Sequence, residues 1–371
     1  MDYKLIATSA FGLESVVAKE LKSLGYEELV LENGKVHFTG DELDIAIANI
    51  HLRTAERILI NMGEFEARTF EELFQGTRAI NWGQLIPVDG KMHVTGKSIK
   101  STLFSVPDCQ SIVKKAMVTS MQEKYNRTVF TEDGPVYKTE ISLLKDKATL
   151  SVDTSGVGLH KRGYREKAGE APLKETLAAA MVLLSKWTGK ETLIDPFCGS
   201  GTILIEAAMI ARDIAPGLKR KFVSEDWPNI SQDIWEQVRE GGRKSIKNRD
   251  IKMYGYDING RLLSVARDNA RLAGVEDNIE FKKQDFRELE LRGEDLFIIT
   301  NPPYGERIGE EEEIKLLYKR LGQMKKNNPD VQMDILTSYE KFQEVFGSKA
   351  DKNRKLYNGR LKCYNYEYFR K

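Results

Sequence analysis

The chain has 371 residues, more than one ordinary compact core accommodates and enough for two or three domains. Its 57 Lys+Arg against 56 Asp+Glu leave a net charge of +1, which excludes a uniformly basic glove or an acidic tail and leaves nucleic-acid contact to local patches. The composition, 41% hydrophobic and 30% charged, with no apolar run near the ~18–20 residues of a bilayer span, excludes a helical membrane protein. The first residues, MDYKLIATSAFG, carry neither the cationic start nor the long apolar stretch of a secretion signal, so a cytoplasmic protein is expected. Cys109, Cys198 and Cys363 are odd in number and far apart, and with only four histidines neither a disulfide framework nor a metal site is expected.

In chain order, residues 4–8 read as a strand, and Val17, Leu21 and Leu24 form the apolar stripe of a helix closed by Gly25. Residues 29–31 and 36–38 flank Asn33-Gly34, the dipeptide best suited to a type I′ hairpin turn. A helix over 41–51 and a strand over 57–62 complete β-α-β-β-α-β, the order of a ferredoxin-like unit, which by itself says nothing about function. From residue 65 to 165 a second small α+β domain follows: a helix near 69–78, a strand at 92–96, a long helix after Pro107, and paired strands near 138–143 and 148–152. Here cations cluster at Lys97 and Lys100, at Lys114 and Lys115, and at Lys161, Arg162 and Arg165, with Ser98 and Ser101 interleaved with the first two lysines. Short neutral donors beside long cations suit a phosphate backbone, the alternative being an ordinary solvated face.

After Gly169 helices at 174–187, 201–212, 260–272 and 313–326 alternate with strands at 192–194, 253–256, 279–282, 296–300 and 333–336. That alternation predicts a doubly wound α/β parallel sheet, closed by an antiparallel hairpin whose strands, 355–357 and 361–366, flank Asn358-Gly359. Residues 214–249, rich in Trp, Pro and charge, read as an insertion.

The chemistry-bearing segments sit at strand ends. Asp195-Pro-Phe-Cys198-Gly199-Ser-Gly201-Thr202 runs from strand through a glycine turn into a helix, which lets the backbone approach a ligand. It is not a Walker loop, and Leu204 replaces the third glycine of a dinucleotide fingerprint, so pyrophosphate is disfavoured. Asp257 is placed to accept both hydroxyls of a ribose, and Asp285, beside Phe286, to meet an adenine amino group; a helix N-cap is the alternative for each. Asn301-Pro302-Pro303-Tyr304 follows a fully apolar strand. Two prolines hold that loop rigid, so the Asn301 oxygen and the Pro302 carbonyl can both accept from one exocyclic amine while Tyr304 stacks on its base. Such an amine is a poor nucleophile, and two acceptors favour a lone-pair-bearing geometry as a methyl group arrives. A base in a structured nucleic acid has first to be extruded. Cys198 has no partner in sequence to activate it as a nucleophile.

Taken together, the chain resembles the THUMP-domain class I RNA methyltransferases, and most closely the methyltransferase half of bacterial 23S rRNA guanine-N2 methyltransferases. The resemblance is carried by the stretch from Asp195 to Ala208, by Asn301-Pro-Pro-Tyr-Gly-Glu-Arg307, by Leu159-His-Lys-Arg-Gly-Tyr-Arg165, and by Ala171-Pro-Leu-Lys-Glu-Thr-Leu-Ala-Ala-Ala180, with Asn81-Trp82 in the middle domain. It implies a ferredoxin-like domain over 1–64, a THUMP RNA-binding domain over 65–165 and an S-adenosylmethionine-dependent methyltransferase domain over 166–371. It further implies that Asp195, Cys198, Gly199, Gly201 and Thr202 line the methionine side of S-adenosylmethionine, that Asp257 holds the ribose and Asp285 with Phe286 the adenine, and that residues 172–176, with Pro172 and Thr176, cover the pocket. Asn301, Pro302, Pro303 and Tyr304 then bind the target base. Some relatives continue into a second methyltransferase domain; here the chain stops at Lys371, and one activity is expected.

The activity so implied is methyl transfer to guanine N2 in 23S rRNA or a large-subunit precursor, without metal or covalent intermediate. The motif geometry also admits tRNA guanine-N2 or adenine-N6 in RNA or DNA, and the non-enzymatic alternative is an RNA-binding assembly factor with a vestigial pocket.

Overall fold

Two seven-stranded sheets organise the computed structural model, which describes residues 2–165, 173–304 and 311–371. The first sheet starts from β1 (Tyr3–Ser9), α1 (Glu14–Ser23), β2 (Val30–Glu32), β3 (Lys35–Gly40), α2 (Glu42–His51) and β4 (Ala55–Glu66). Asp41 caps α2, accepting from the Leu43 and Asp44 amides while Asp44 returns the bond, a reciprocal capping box. The β2–β3 turn differs from expectation: of Asn33 and Gly34 only Gly34 has a positive φ, so the turn is not type I′.

β4 is twice the expected length and continues past residue 64. One side pairs with β1 and the other, through a bulge between Asn61 and Gly63, with β7 (Lys147–Asp153). The second half of the sheet is built from α3 (Phe70–Arg78), β5 (Lys91–Ile99), α4 (Val106–Tyr125) and β6 (Val136–Leu144). The strand order β2-β3-β1-β4-β7-β6-β5 is therefore continuous across both N-terminal segments.

The second sheet comprises β8 (Thr192–Asp195), β9 (Met253–Asp257), β10 (Ile279–Lys283), β11 (Leu296–Thr300), β12 (Gln332–Thr337), β13 (Lys352–Asn358) and β14 (Leu361–Tyr368). Its order is β10-β9-β8-β11-β12-β14-β13, parallel as far as β12 and antiparallel beyond. β11 and β12 are buried along their length, as strands covered on both faces must be. α5 (Glu175–Leu184), α6 (Thr202–Ala211) and α8 (Gly260–Ala273) cover one face; α9 (Glu311–Asn327) and α10 (Phe342–Phe346) cover the other. The chain leaves β8 toward β9 and β10 and later returns on the other side as β11. The strand order thus reverses between β8 and β11, the position where open α/β sheets bind ligands above the carboxyl ends of their strands.

The insertion after α6 leaves the second sheet and spends its apolar side on the first. Phe222, Trp227, Ile230, and Trp235 and Val238 of α7 (Gln232–Lys244) belong to the same core as Leu5, Ile50, Val152 and Tyr137. Trp227 is 1% exposed, stacks on Tyr137 at 4.5 Å and donates its Nε1–H to the Val136 carbonyl at 3.0 Å.

Candidate active site

The glycine turn after β8 is shaped by two positive-φ residues. Gly199 has φ +52°, and a Cβ there would meet no atom within 4 Å, so the turn presents bare backbone to open space. Gly201 has φ +81°, and a Cβ would approach the Phe281 ring to 2.9 Å, so this second glycine lets helix α6 sit against β10. Asp257, at the end of β9, closes the turn from beside it, accepting from the Gly199 amide at 3.0 Å and from the Asn259 amide at 2.7 Å. It is not the helix cap; Asn259 caps α8. Asp285 does cap a short 3₁₀ turn, accepting from the Arg287 amide at 2.8 Å, and the Arg287 side chain beside it draws its carboxyl below the usual carboxylate range.

Between these strand ends lies a cavity of about 430 Å³. Of the expected residues Asp257, Asp285, Phe286, Asn301 and Pro303 line it. Phe197, Ile258, Gln284 and Leu316 are among the other residues of the wall, and Phe197 and Phe286 touch with ring centroids 4.7 Å apart. Ile258 and Leu316 are 61% and 62% exposed, an apolar rim that a flat aromatic ring would cover. Ile258 was legible as an apolar residue directly after a strand-end acid. Leu316 was not, because it arrives from α9.

Asp195 stands beneath the cavity, not in its wall. It is 1% exposed and accepts from the Thr300 hydroxyl at 2.6 Å and from the Phe197 amide at 3.1 Å. Burial pushes its carboxyl up to about 7, against the pull of those two bonds. Thr300 immediately precedes Asn301, so this bond ties the glycine turn to the neighbouring loop. That loop is braced twice more: Tyr318 donates to the Pro303 carbonyl at 2.9 Å, and the Tyr304 hydroxyl donates to Asn301 Oδ1. Pro302 is buried, and Tyr304 packs against the core under α5.

Cys198, Thr202 and Thr176 do not line this cavity. Cys198 is buried and its thiol is pushed up by burial, the reverse of an activated nucleophile. Thr202 receives a bond from Arg165, and Thr176 donates to Glu56 Oε1 at 2.9 Å. Pro172 lies outside the described residues.

The expected RNA-facing cations divide. Lys100 and Lys161 are exposed, and Lys115 lies over the Phe74 ring at 5.9 Å. Lys97 is paired with Glu140 at 2.8 Å, and Lys114 with Glu132 and the Met92 carbonyl. Arg162 and Arg165 are corrections, since their side chains are 2% and 6% exposed. Arg162 meets Glu206 of α6 at 3.4 Å, Tyr164 donates to the same carboxylate at 2.9 Å, and Arg165 meets Glu175 at 3.4 Å. These arginines answer buried carboxylates, a requirement that outranks solvent contact and that local sequence does not reveal. Among the described residues no cluster of His, Cys, Asp or Glu suits a metal, and no helix is long and apolar enough to cross a membrane.

A glycine turn, two strand-end carboxylates and an Asn-Pro-Pro-Tyr loop around one cavity agree with what family models find in the chain. Residues 162–367 match the RMKL-like methyltransferase domain, residues 4–59 the RlmL ferredoxin-like domain, and residues 67–153 the THUMP domain. The chain belongs to the RMKL-like methyltransferase family. It is 50% identical to a Bacillus subtilis (strain 168) protein named "Putative RNA methyltransferase YpsC", over 100% of this chain and 96% of that one. A solved structure from Listeria monocytogenes, described as a predicted N6-adenine-specific DNA methylase, is 47% identical, with TM-score 0.95 over 100% of this chain and 96% of that one. Another, SMU.472, described as a putative methyltransferase complexed with SAH, is 43% identical, with TM-score 0.95 over 100% and 98%.

Proposed function

We propose that this methyltransferase acts on RNA, transferring the methyl group of S-adenosylmethionine to the exocyclic N2 of a guanine in 23S rRNA. The observation that carries transfer to an exocyclic amine is the braced Asn301–Tyr304 loop at the edge of a cavity with an apolar rim and two strand-end carboxylates, and the choice of guanine N2 rests on the sequence resemblance. The THUMP match and the RNA methyltransferase relative support RNA as the substrate class.

The methyl donor is S-adenosylmethionine, which supplies an electrophilic methyl group. The donor set fits it: bare backbone at Gly199 admits a close ligand, Asp257 offers its carboxylate to ribose hydroxyls, and Ile258, Phe286 and Leu316 offer apolar surface to adenine. Asn301 Oδ1 and the Pro302 carbonyl accept the two N–H bonds of the target amine and orient its lone pair. Tyr304 has first to release Asn301, and its ring then replaces part of the stacking lost by the extruded base. No charged base would be required, because the methyl group leaves the donor sulfur, whose bonding electrons stay with the resulting thioether, and the methylated nitrogen then gives its proton to water.

Methyl transfer from labelled S-adenosylmethionine to rRNA and tRNA lacking the modification, followed by nucleoside identification, tests the proposal. N2-methylguanosine in rRNA is the expected product. The loop accommodates adenine N6 equally well, in keeping with the description of the Listeria relative. N6-methyladenosine would therefore overturn the guanine assignment, and label confined to tRNA the rRNA assignment.

A further inference from the structure

The closing hairpin carries a charge pattern that the catalytic reading leaves unused. Residues 352–366 contain Lys352, Arg354, Lys355, Arg360 and Lys362 and no carboxylate. Lys97 and Lys114 are matched by acids, whereas Arg354, Lys355, Arg360 and Lys362 have no carboxylate partner among the described residues. Tyrosines alternate with these cations. Lys355 Nζ lies 5.3 Å from the Tyr357 ring centroid, and Lys362 Nζ 5.6 Å from that of Tyr364.

At the hairpin tip the N-terminal sheet contributes a further ring. Phe11 meets Tyr357 edge to face, centroids 5.9 Å apart, and is 50% exposed, although a phenylalanine gains nothing from water. Tyr357 also lines a cavity of about 250 Å³, with Ser9, Ala10 and Glu56 from the N-terminal half and Lys174, Thr176 and Gly359 from the catalytic half. The hairpin that carries Tyr357 also touches the target-base loop through its neighbouring residues. Tyr304 Oη is 3.8 Å from Cys363 Sγ, and Cys363 lies across the ladder from Leu356, next to Tyr357.

We propose that Phe11 and Tyr357, with the cations of the hairpin, form a stacking surface for the nucleotide next to the target base. The inference rests on the RNA reading above. Single-stranded RNA is held by aromatic faces for its bases and cations for its backbone, and extruding one base leaves its neighbour unstacked beside the pocket. The surface is shared between the two sheets, so it is complete only where the N-terminal module is docked on the catalytic one.

Ultraviolet cross-linking of the full chain to rRNA and tRNA lacking the modification, with identification of the linked peptides, tests the contact directly. Filter binding of Phe11→Ala and Tyr357→Ala gives its weight. The expected result is cross-links at Phe11 or Tyr357 and a loss of affinity of about tenfold per ring. S-adenosylmethionine binding should be unchanged, and Tyr357→Phe should restore RNA affinity. Replacing Lys355 and Lys362 by Gln should flatten the salt dependence by about one unit of slope each. Wild-type protein that binds and methylates RNA with no cross-link at either ring, and with unchanged affinity in the variants, would overturn the stacking surface alone. Wild-type protein that binds no RNA but methylates DNA would overturn the RNA reading and this inference with it.

Discussion

Asp195 accepts a hydrogen bond from Thr300, the residue before Asn301, yet Asp195 and Asn301 do different work. Asn301 lines the cavity, so on the reading proposed above Asn301→Ala removes an acceptor from the target amine while Asp257, Asp285 and Phe286 stay in place. Turnover should fall about 10²–10³-fold, the loss typical of one preorganised polar contact, with S-adenosylmethionine affinity unchanged by calorimetry. Asp195 reaches the chemistry only through Thr300 and the Phe197 amide. Arg162 poses the sharpest contrast between sequence and structure. In the string His160-Lys-Arg-Gly-Tyr-Arg165 it reads as one cation of a patch, but its guanidinium meets buried Glu206 and the Leu159 carbonyl. Arg162→Ala leaves that carboxylate without its cation and should destabilise the protein by about 3–5 kcal/mol in denaturant titration. A surface cation would cost almost nothing there, so an unchanged midpoint would return Arg162 to the RNA-facing set.

At the scale of elements, Glu56 opens β4 in the first sheet yet bonds to the start of α5 in the second. Its carboxylate is 3.5 Å from His160 Nδ1, 3.2 Å from Lys174 Nζ and 2.9 Å from Thr176 Oγ1. Burial alone would raise its pKa; His160, Lys174 and Thr176 overcome that and bring it down to about 2. A depressed carboxyl stabilises the fold fully above its unfolded value of 4.5, and the contribution is lost as pH falls toward 2. Glu56→Gln should therefore lower stability by about 1–3 kcal/mol at pH 7, and the gap to wild type should begin to close below pH 4.5, as read from urea midpoints. Most helices and strands were legible because period-2 and period-3.6 patterns are local, but α7 and α10 were not among the expected helices. The helix starts at Asp41 and Thr69 and the apolar run of β11 stand in the sequence as they stand in the fold. What was not legible is partnership at long range. Nothing near Arg165 announces Glu175, nothing near Thr176 announces Glu56, and no local pattern says that β4 will bridge two segments. The cavity divides the same way: its carboxylates and its Asn-Pro-Pro-Tyr loop sit at strand ends visible as motifs, whereas Leu316 comes from a helix whose exposed apolar residue looks ordinary.

For the whole molecule, the path of residues 214–249 decides how independent the parts are. Chain order assigns them to the catalytic half, but their aromatic residues complete the core of the N-terminal sheet. Trp227, Trp235 and Phe222 are each at most 2% exposed, and the stack of Trp227 on Tyr137 is backed by bonds from Ser224 to Thr154 and from Gly217 to Ile50. An N-terminal fragment ending at residue 160 would present the sites of these rings to water, and losing one buried Trp typically costs about 3–5 kcal/mol, a large share of a domain's stability. The fragment is expected to lack the near-ultraviolet circular dichroism of a fixed core and to bind a hydrophobic dye, whereas the full chain does neither. Trp227→Ala in the full chain should lower the unfolding midpoint while leaving S-adenosylmethionine affinity intact, because the donor wall is built on the other sheet. A fragment with a sharp, cooperative melt would show instead that the insertion only leans on a core already complete, and the two modules would then be free to move independently around the site they share.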